Sequence, residues 1–219
     1  MSQRWAISMT ITGDLRFASH HDTMRAVQRT MARACLPVHY SQGFNPRPVF
    51  SLACPRPVGV ASECDLLVVA LDEDGQTPLD GETICDRLNA TAPRGMRFVG
   101  ATLRPSGASA PQPIRMQYRL TLRPEQAARL RERIEQLGEQ DQWLHQRGSA
   151  RTGRRGKKPR TVDIKPLVED LTVESDRLTL TLAPQQQRWA RPAEILDTLG
   201  LDPRGDLARV VRTDVRYAS

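Results

Sequence analysis

Residues 4–37, RWAISMTITGDLRFASHHDTMRAVQRTMARACLP, change hydrophobic period once, and that change decides the fold. Trp5, Ile7, Met9 and Ile11 alternate with small or polar residues, the period of two required of a strand with one buried face. Gly13-Asp14 ends the run. Beyond it, Met24, Val27, Met31 and Ala34 recur at helical spacing, with Ser19 or Asp22 available as the cap and Pro37 as the stop. Arg25, Arg29 and Arg33 recur every fourth residue on a neighbouring face, the pattern of a solvated helix flank. A strand feeding a helix is therefore the first unit of the chain.

Working outward, VFSLACP and ECDLLVVAL read as two strands joined through RPVGVAS. A helix follows over roughly 81–92, with Ile84 and Leu88 on one face, and MRFVGATLR closes the set as a strand. The order is β-α-β-β-α-β, the split pattern of a ferredoxin-like domain. Residues 105–113, PSGASAPQP, interrupt every periodicity and read as a linker. The pattern then restarts. RMQYRLTL alternates as a strand, and PEQAARLRERIEQLG is a helix opened by Pro124 and stopped by Gly138. A strand near QWLHQR, strands within TVDIKPLVEDLTVESDRLTLTL, a helix at RPAEILDTLG and a last strand ARVVRTDVRY complete a second set. The expectation is an α+β chain of two tandem ferredoxin-like (β-α-β-β-α-β) domains with antiparallel sheets. They occupy 1–104 and 114–219, joined by the linker 105–113.

The chain has 219 residues and a formal charge of +7. Residues 1–109 hold 11 Lys/Arg against 10 Asp/Glu, whereas residues 110–219 hold 21 against 15, so the basic excess belongs to the second half. Such an excess favours a polyanionic partner. Its densest run is 147–160, RGSARTGRRGKKPR, with seven Lys/Arg and no acid. It has almost nothing to bury, so it reads as a long loop in the second domain. Arg147, Arg151, Arg154, Arg155, Lys157, Lys158 and Arg160 would contact RNA phosphates and release counterions there. A solvated insertion is the plainer alternative.

Cys35, Cys54, Cys64 and Cys85 form no CxxC, and no Cys/His group has zinc-finger spacing, so neither a metal site nor a cofactor is expected. No apolar run approaches the roughly 18 residues of a membrane span. A cytoplasmic protein with free thiols is the expectation. No P-loop, GxGxxG, GxSxG or HExxH occurs.

Two clusters carry candidate chemistry. SHHD (19–22) places His20, His21 and Asp22 at the strand-to-helix turn, where a histidine could act as general base with Asp22 orienting it. A helix cap beside two polar turn residues explains the same letters. YSQGFNPRPVFS (40–51) holds two of the four phenylalanines. Gly43 permits an unusual backbone, and Pro46 and Pro48 stiffen the segment. Ser41, Gln42, Asn45 and Arg47 can then display donors beside Phe44 or Phe50, which suits a base or small ligand. A corner between helix and strand is the alternative.

The stretch from Gly13 to Asp65 resembles the signature of a bacterial family of unknown function described as radical-SAM-linked. Its members are fused to, or encoded beside, radical SAM proteins. The landmarks are Arg16-Phe17, Ser19-His20, Asp22, residues 40–46, Pro57-Val58-Gly59, and VDIKPL at 162–167. That resemblance implies a radical SAM partner. More distantly, two tandem ferredoxin-like units with a histidine near the first helix look like the CRISPR repeat-processing endoribonucleases. The combined expectation is an RNA-binding accessory protein of a radical SAM enzyme, possessing no membrane segment and needing no catalysis of its own. A metal-independent endoribonuclease and a protein–protein adaptor are the alternatives.

Overall fold

The structure is a computed structural model that describes residues 2–72, 79–148 and 160–218. It is a mixed α+β chain with mostly antiparallel sheets and four α-helices among the described residues. In chain order the first elements are β1 (Ser2–Ile11), α1 (His20–Arg33), β2 (Phe50–Leu52), β3 (Ala61–Asp72), α2 (Gly81–Asn89) and β4 (Met96–Leu103). They are followed by β5 (Pro113–Thr121), α3 (Gln126–Gly138), β6 (Leu144–Arg147), β7 (Arg160–Asp163), β8 (Val168–Glu174), β9 (Arg177–Leu182), α4 (Pro192–Thr198) and β10 (Val210–Tyr217). The chain divides into two compact units, Met1–Pro113 with Val211–Ser219, and Ile114–Val210.

In the first unit β4, β1, β3 and β2 lie side by side in that order, every neighbour antiparallel. The alternation in β1 buries Trp5, Ile7, Met9 and Ile11 against the helices, and the register that pairs Trp5 with Val69 and Ile7 with Leu67 extends the same face into β3. Val27 and Met31 of α1, Ile84 and Leu88 of α2, and Phe98 of β4 complete the core. Ser19 caps α1, its Oγ accepting the Asp22 N–H at 3.1 Å, and Asp80 caps α2 by accepting the Thr83 N–H at 2.7 Å. Each cap satisfies a donor that the first helical turn would otherwise leave unbonded. Arg87 of α2 donates to the carbonyl of Ala34 at 3.0 Å and to that of Cys35, closing the C-terminal end of α1. Asn89 bonds both the carbonyl and the N–H of Phe98 at 2.8 Å, beside the irregularity in the β1–β4 register between Ser8 and Met9.

α2 begins against β4 with no space to spare. A Cβ on Gly81 would stand 2.2 Å from the carbonyl oxygen of Ala101. Gly81→Ala is therefore expected to destabilise the chain by roughly 1–3 kcal/mol, the cost of overpacking a fixed backbone. Urea unfolding should show the midpoint fall with the slope unchanged.

The last strand corrects the sequence reading. Taken there as the final strand of 114–219, residues 211–219 cluster with the first unit, where Val211 and Arg212 pair in parallel with Ala61 and Ser62 of β3. The N–H of Ala218 donates to the carbonyl of Gln112 at 2.8 Å. Strand alternation states which face is buried, but it carries no address for the partner.

The second unit orders β5, β9 and β8 as an antiparallel sheet, with Leu120 paired to Leu178 and Tyr118 to Leu180. Leu130 and Leu137 of α3 and Ile195 and Leu196 of α4 are buried. Here too the simple β-α-β-β-α-β order is incomplete. β6 and β7 form a separate two-stranded ribbon in which Arg147 faces Arg160. Trp143, just before the ribbon, donates its ring N–H to the carbonyl of Leu137 at 2.9 Å and so ties the ribbon to the end of α3.

Candidate functional site

The segment 38–52 leaves α1 and runs out and back along the edge of β3. Val38 bridges Leu71, the N–H of His39 donates to Ala70 at 2.9 Å, and the N–H of Val49 donates to His39 at 2.8 Å. His39 Nδ1 lies 2.8 Å from the Asp72 carboxylate and pins the base of the hairpin. Above it Tyr40 bridges Pro48, and the N–H of Ser41 donates to the Arg47 carbonyl at 2.8 Å. The N–H of Arg47 donates to Ser41 Oγ at 3.0 Å. Ser41 thus clamps the neck of the loop through its backbone N–H and through its hydroxyl as an acceptor.

The tip enclosed by that clamp is displayed to solvent. All of residues 41–47 are exposed, and Phe44 reaches 101% of its reference exposure. Gly43 has φ +140, a backbone that side-chain-bearing residues rarely adopt. Pro46 and Pro48 each remove a backbone donor from the returning arm. The stiffness expected from the prolines is therefore joined to three cross-hairpin contacts. Sequence reading grouped Ser41, Gln42, Gly43, Phe44, Asn45 and Arg47 as one surface, and the hairpin brings them onto one loop.

The SHHD cluster is arranged differently from a general-base pair. Ser19 Oγ donates to Asp22 Oδ2 at 2.6 Å, and Arg25 lies 3.5 Å from the other oxygen. The Ser19 hydrogen bond, with help from Arg25, holds the Asp22 carboxyl below its ordinary range. Asp22 thereby serves the start of α1 rather than orienting a histidine. The rings of His20 and His21 are 5.9 Å apart and tilted, with His21 exposed. The physical reason is local: three residues after a cap, an acidic side chain reaches the capping serine before anything else.

Two other landmarks, Arg16-Phe17 and Pro57-Val58-Gly59, meet through a residue that sequence reasoning passed over. Arg56 is buried, and its guanidinium donates to the carbonyls of Arg16 and Val60, each at 2.6 Å. The N–H of Gly59 donates to the same Arg16 carbonyl at 2.9 Å. The short turn Gly13–Phe17 and the turn at 57–59 are locked as one piece, leaving Phe17 and Val58 exposed at 55% and 52%. No periodic signal marks a buried arginine in a turn.

The basic run divides. Arg151, Arg154, Arg155, Lys157 and Lys158 lie outside the described residues, and Arg160 is exposed at the start of β7. Arg147 departs from its expected role as an RNA contact. Its Nε and Nη2 donate to the two oxygens of Glu194, both at 2.7 Å, and Nη2 also donates to the Trp189 carbonyl at 2.7 Å. Both side chains are buried, at 10% and 5% exposure. Burial by itself would push the Glu194 carboxyl up, but the Arg147 hydrogen bonds and the Arg191 N–H overcome it and hold the carboxyl below its ordinary range.

A second buried arginine was also invisible in the sequence. Arg212 is fully buried and donates to Asp65 at 2.7 Å, to the carbonyl of Cys54 at 3.0 Å and to Cys54 Sγ at 3.1 Å. Burial pushes the Cys54 thiol up and raises that of Cys64 to about 11, so both sulfurs are poor nucleophiles at neutral pH. Among the described residues no three His, Cys, Asp or Glu side chains gather as a metal site, and no helix is long and apolar enough to cross a membrane.

The chain belongs to a family described as "Uncharacterized protein conserved in bacteria (DUF2344)", whose model matches residues 4–192. No curated protein matches it. Among solved structures, the crystal structure of an unknown protein from Galdieria sulphuraria aligns over 100% of both chains at 10% identity, with a TM-score of 0.29.

Proposed function

We propose that this chain is an RNA-binding accessory protein, built on two ferredoxin-like units, that presents RNA to a radical SAM enzyme. The observation carrying the reading is the clamped loop with Phe44 fully exposed and Gln42, Asn45 and Arg47 around it. A phenyl ring held in water by a stiff hairpin is costly as a structural device. As a platform on which an unpaired base can stack, it has a use. The all-antiparallel order β4-β1-β3-β2, with two helices on one face, supports the ferredoxin-like reading of the first unit. The basic residues from Arg151 to Arg160 supply phosphate contacts, and the radical SAM partner rests on the landmark resemblance.

Single-stranded RNA binding measured by fluorescence anisotropy tests the reading. Phe44→Ala removes no buried contact, so folding does not confound it, and affinity should fall by roughly 10-fold or more, the value of one lost stacking contact. Arg47→Gln should reduce the salt slope by about one phosphate contact. Deleting 151–158 should abolish most of the salt-sensitive affinity. Binding indifferent to salt, or unchanged by both Phe44→Ala and the deletion, would sink the proposal. Cleavage in EDTA that depends on His20 or His21 would replace it with the nuclease. Co-purification with the radical SAM partner after nuclease treatment, with no RNA affinity, would replace it with the adaptor.

A further inference from the structure

We infer that the cleft between Arg4 and Arg104, on the face of the first unit's sheet turned away from the helices, is a phosphate-binding site. It is separate from the hairpin tip and does not rest on the RNA reading.

The position follows from the strand register. Trp5 points into the core, so Arg4 projects from the opposite face, across from Ala70 of β3. Trp5 pairs with Leu103, and the N–H of Arg104 donates to the Arg4 carbonyl at 2.8 Å, so the two arginines hold facing positions, one on β1 and the other just past the end of β4. Like charges directly opposite one another in a sheet repel. A carboxylate between them would relieve this, yet the cleft lining contains none among the described residues.

Arg104 is further underserved. One arm of its guanidinium, Nη2, donates to the Ser109 carbonyl at 2.6 Å. The other, Nη1, is buried and has no partner among the described residues. A buried, unbonded guanidinium nitrogen is costly, and in a native protein it points to a bound ion or water. The cleft it borders has a volume of about 200 Å³, with Val49, Val68 and Ala70 lining it and Pro111 at its edge. That is smaller than the roughly 300 Å³ at which drug-sized pockets begin, and it suits a phosphate group with part of its attached ligand.

Charge and geometry select phosphate over carboxylate. Two guanidinium groups provide two positive charges in fork-shaped donor sets, matching a phosphate monoester that carries about −1.5 to −2 at pH 7. The apolar lining offers a resting surface for the ligand's planar portion. A small phosphorylated molecule and the phosphorylated end of an RNA share this chemistry.

The test is calorimetric titration of the full chain at low salt with inorganic phosphate, adenosine 5′-monophosphate and adenosine. Single-stranded RNA carrying either a 5′-phosphate or a 5′-hydroxyl is titrated alongside. Phosphate and the monophosphate should bind while adenosine does not. Arg4→Gln, an exposed position where folding is not at stake, should weaken phosphate binding by about 10-fold or more, as expected for a lost charged hydrogen bond. Arg104→Lys, which retains charge but not the fork, should weaken it as well, and Arg29→Gln on α1 should leave it unchanged. A preference for 5′-phosphorylated over 5′-hydroxyl RNA assigns the site to RNA ends, and equal binding of the two RNAs beside firm monophosphate binding assigns it to a small molecule. Absence of binding by every phosphate probe, or an Arg4→Gln chain with wild-type affinity, overturns the inference.

Discussion

Asp65→Asn is expected to lower the unfolding free energy by roughly 3–5 kcal/mol, the usual cost of stripping a buried charge of its partner. Arg212 has no exposure at all, and Asp65 pairs with it at 2.7 Å. Its bonds to the carbonyl and thiol of Cys54 and to Ser62 satisfy donors without neutralising charge. Removing the anion leaves a cation in a region from which water is excluded, and the native state must then relax or admit solvent. Asp65→Leu combined with Arg212→Met should recover much of the loss, because apolar side chains of similar volume need no compensation there. Urea unfolding followed through Trp5, buried in the same unit, reads both variants. A change of less than 1 kcal/mol on Asp65→Asn would show that the buried pair does not hold the C-terminal strand.

Arg147→Ala should cost the second unit a similar amount and, unlike the first case, should flatten a pH dependence. In the native chain the Glu194 carboxyl lies below its ordinary value. Its stabilising contribution is fully present above the unfolded carboxylate value of about 4.3 and disappears as the pH falls through the lower folded value. Once Arg147 is gone, only the Arg191 contacts remain to oppose burial, so the depression of the carboxyl is weakened. The variant then gains less stability than the native chain as the pH rises through the carboxylate range, because the ionised acid has lost its main partner. The gap between the two proteins should therefore be widest at neutral pH and narrow towards pH 4. Thermal unfolding across pH 4–8 checks it, and parallel profiles would refute the assignment. The same experiment guards the RNA proposal, since an RNA defect in Arg147→Ala would report lost structure and not a lost phosphate contact.

How far the sequence reached can be judged residue by residue. The alternation of Trp5, Ile7, Met9 and Ile11, the helical face around Val27 and Met31, and the cap at Ser19 became the elements expected of them. Each is a local signal, readable over a few residues. The loop at 41–47 was likewise legible, because Gly43, Pro46 and Pro48 act on their own backbone. By contrast Asp22, Arg147, Arg56 and Arg212 look like surface charges in the sequence, and each is engaged by a partner reached through turning or pairing. Arg56 meets a carbonyl 40 positions away, and Arg212 meets an acid 147 positions away.

By itself, then, the sequence determined the periodicities, the turns, the basic second half and the stiff aromatic loop, since all of these depend on neighbours along the chain. Only the tertiary structure decided that the final strand returns to the first unit, that two arginines are buried as bonded ions, and that Arg4 and Arg104 face each other around an unfilled donor. Strand partners and buried charges are chosen by contacts distant in sequence, and alternation records the face of a strand but not the neighbour it will find.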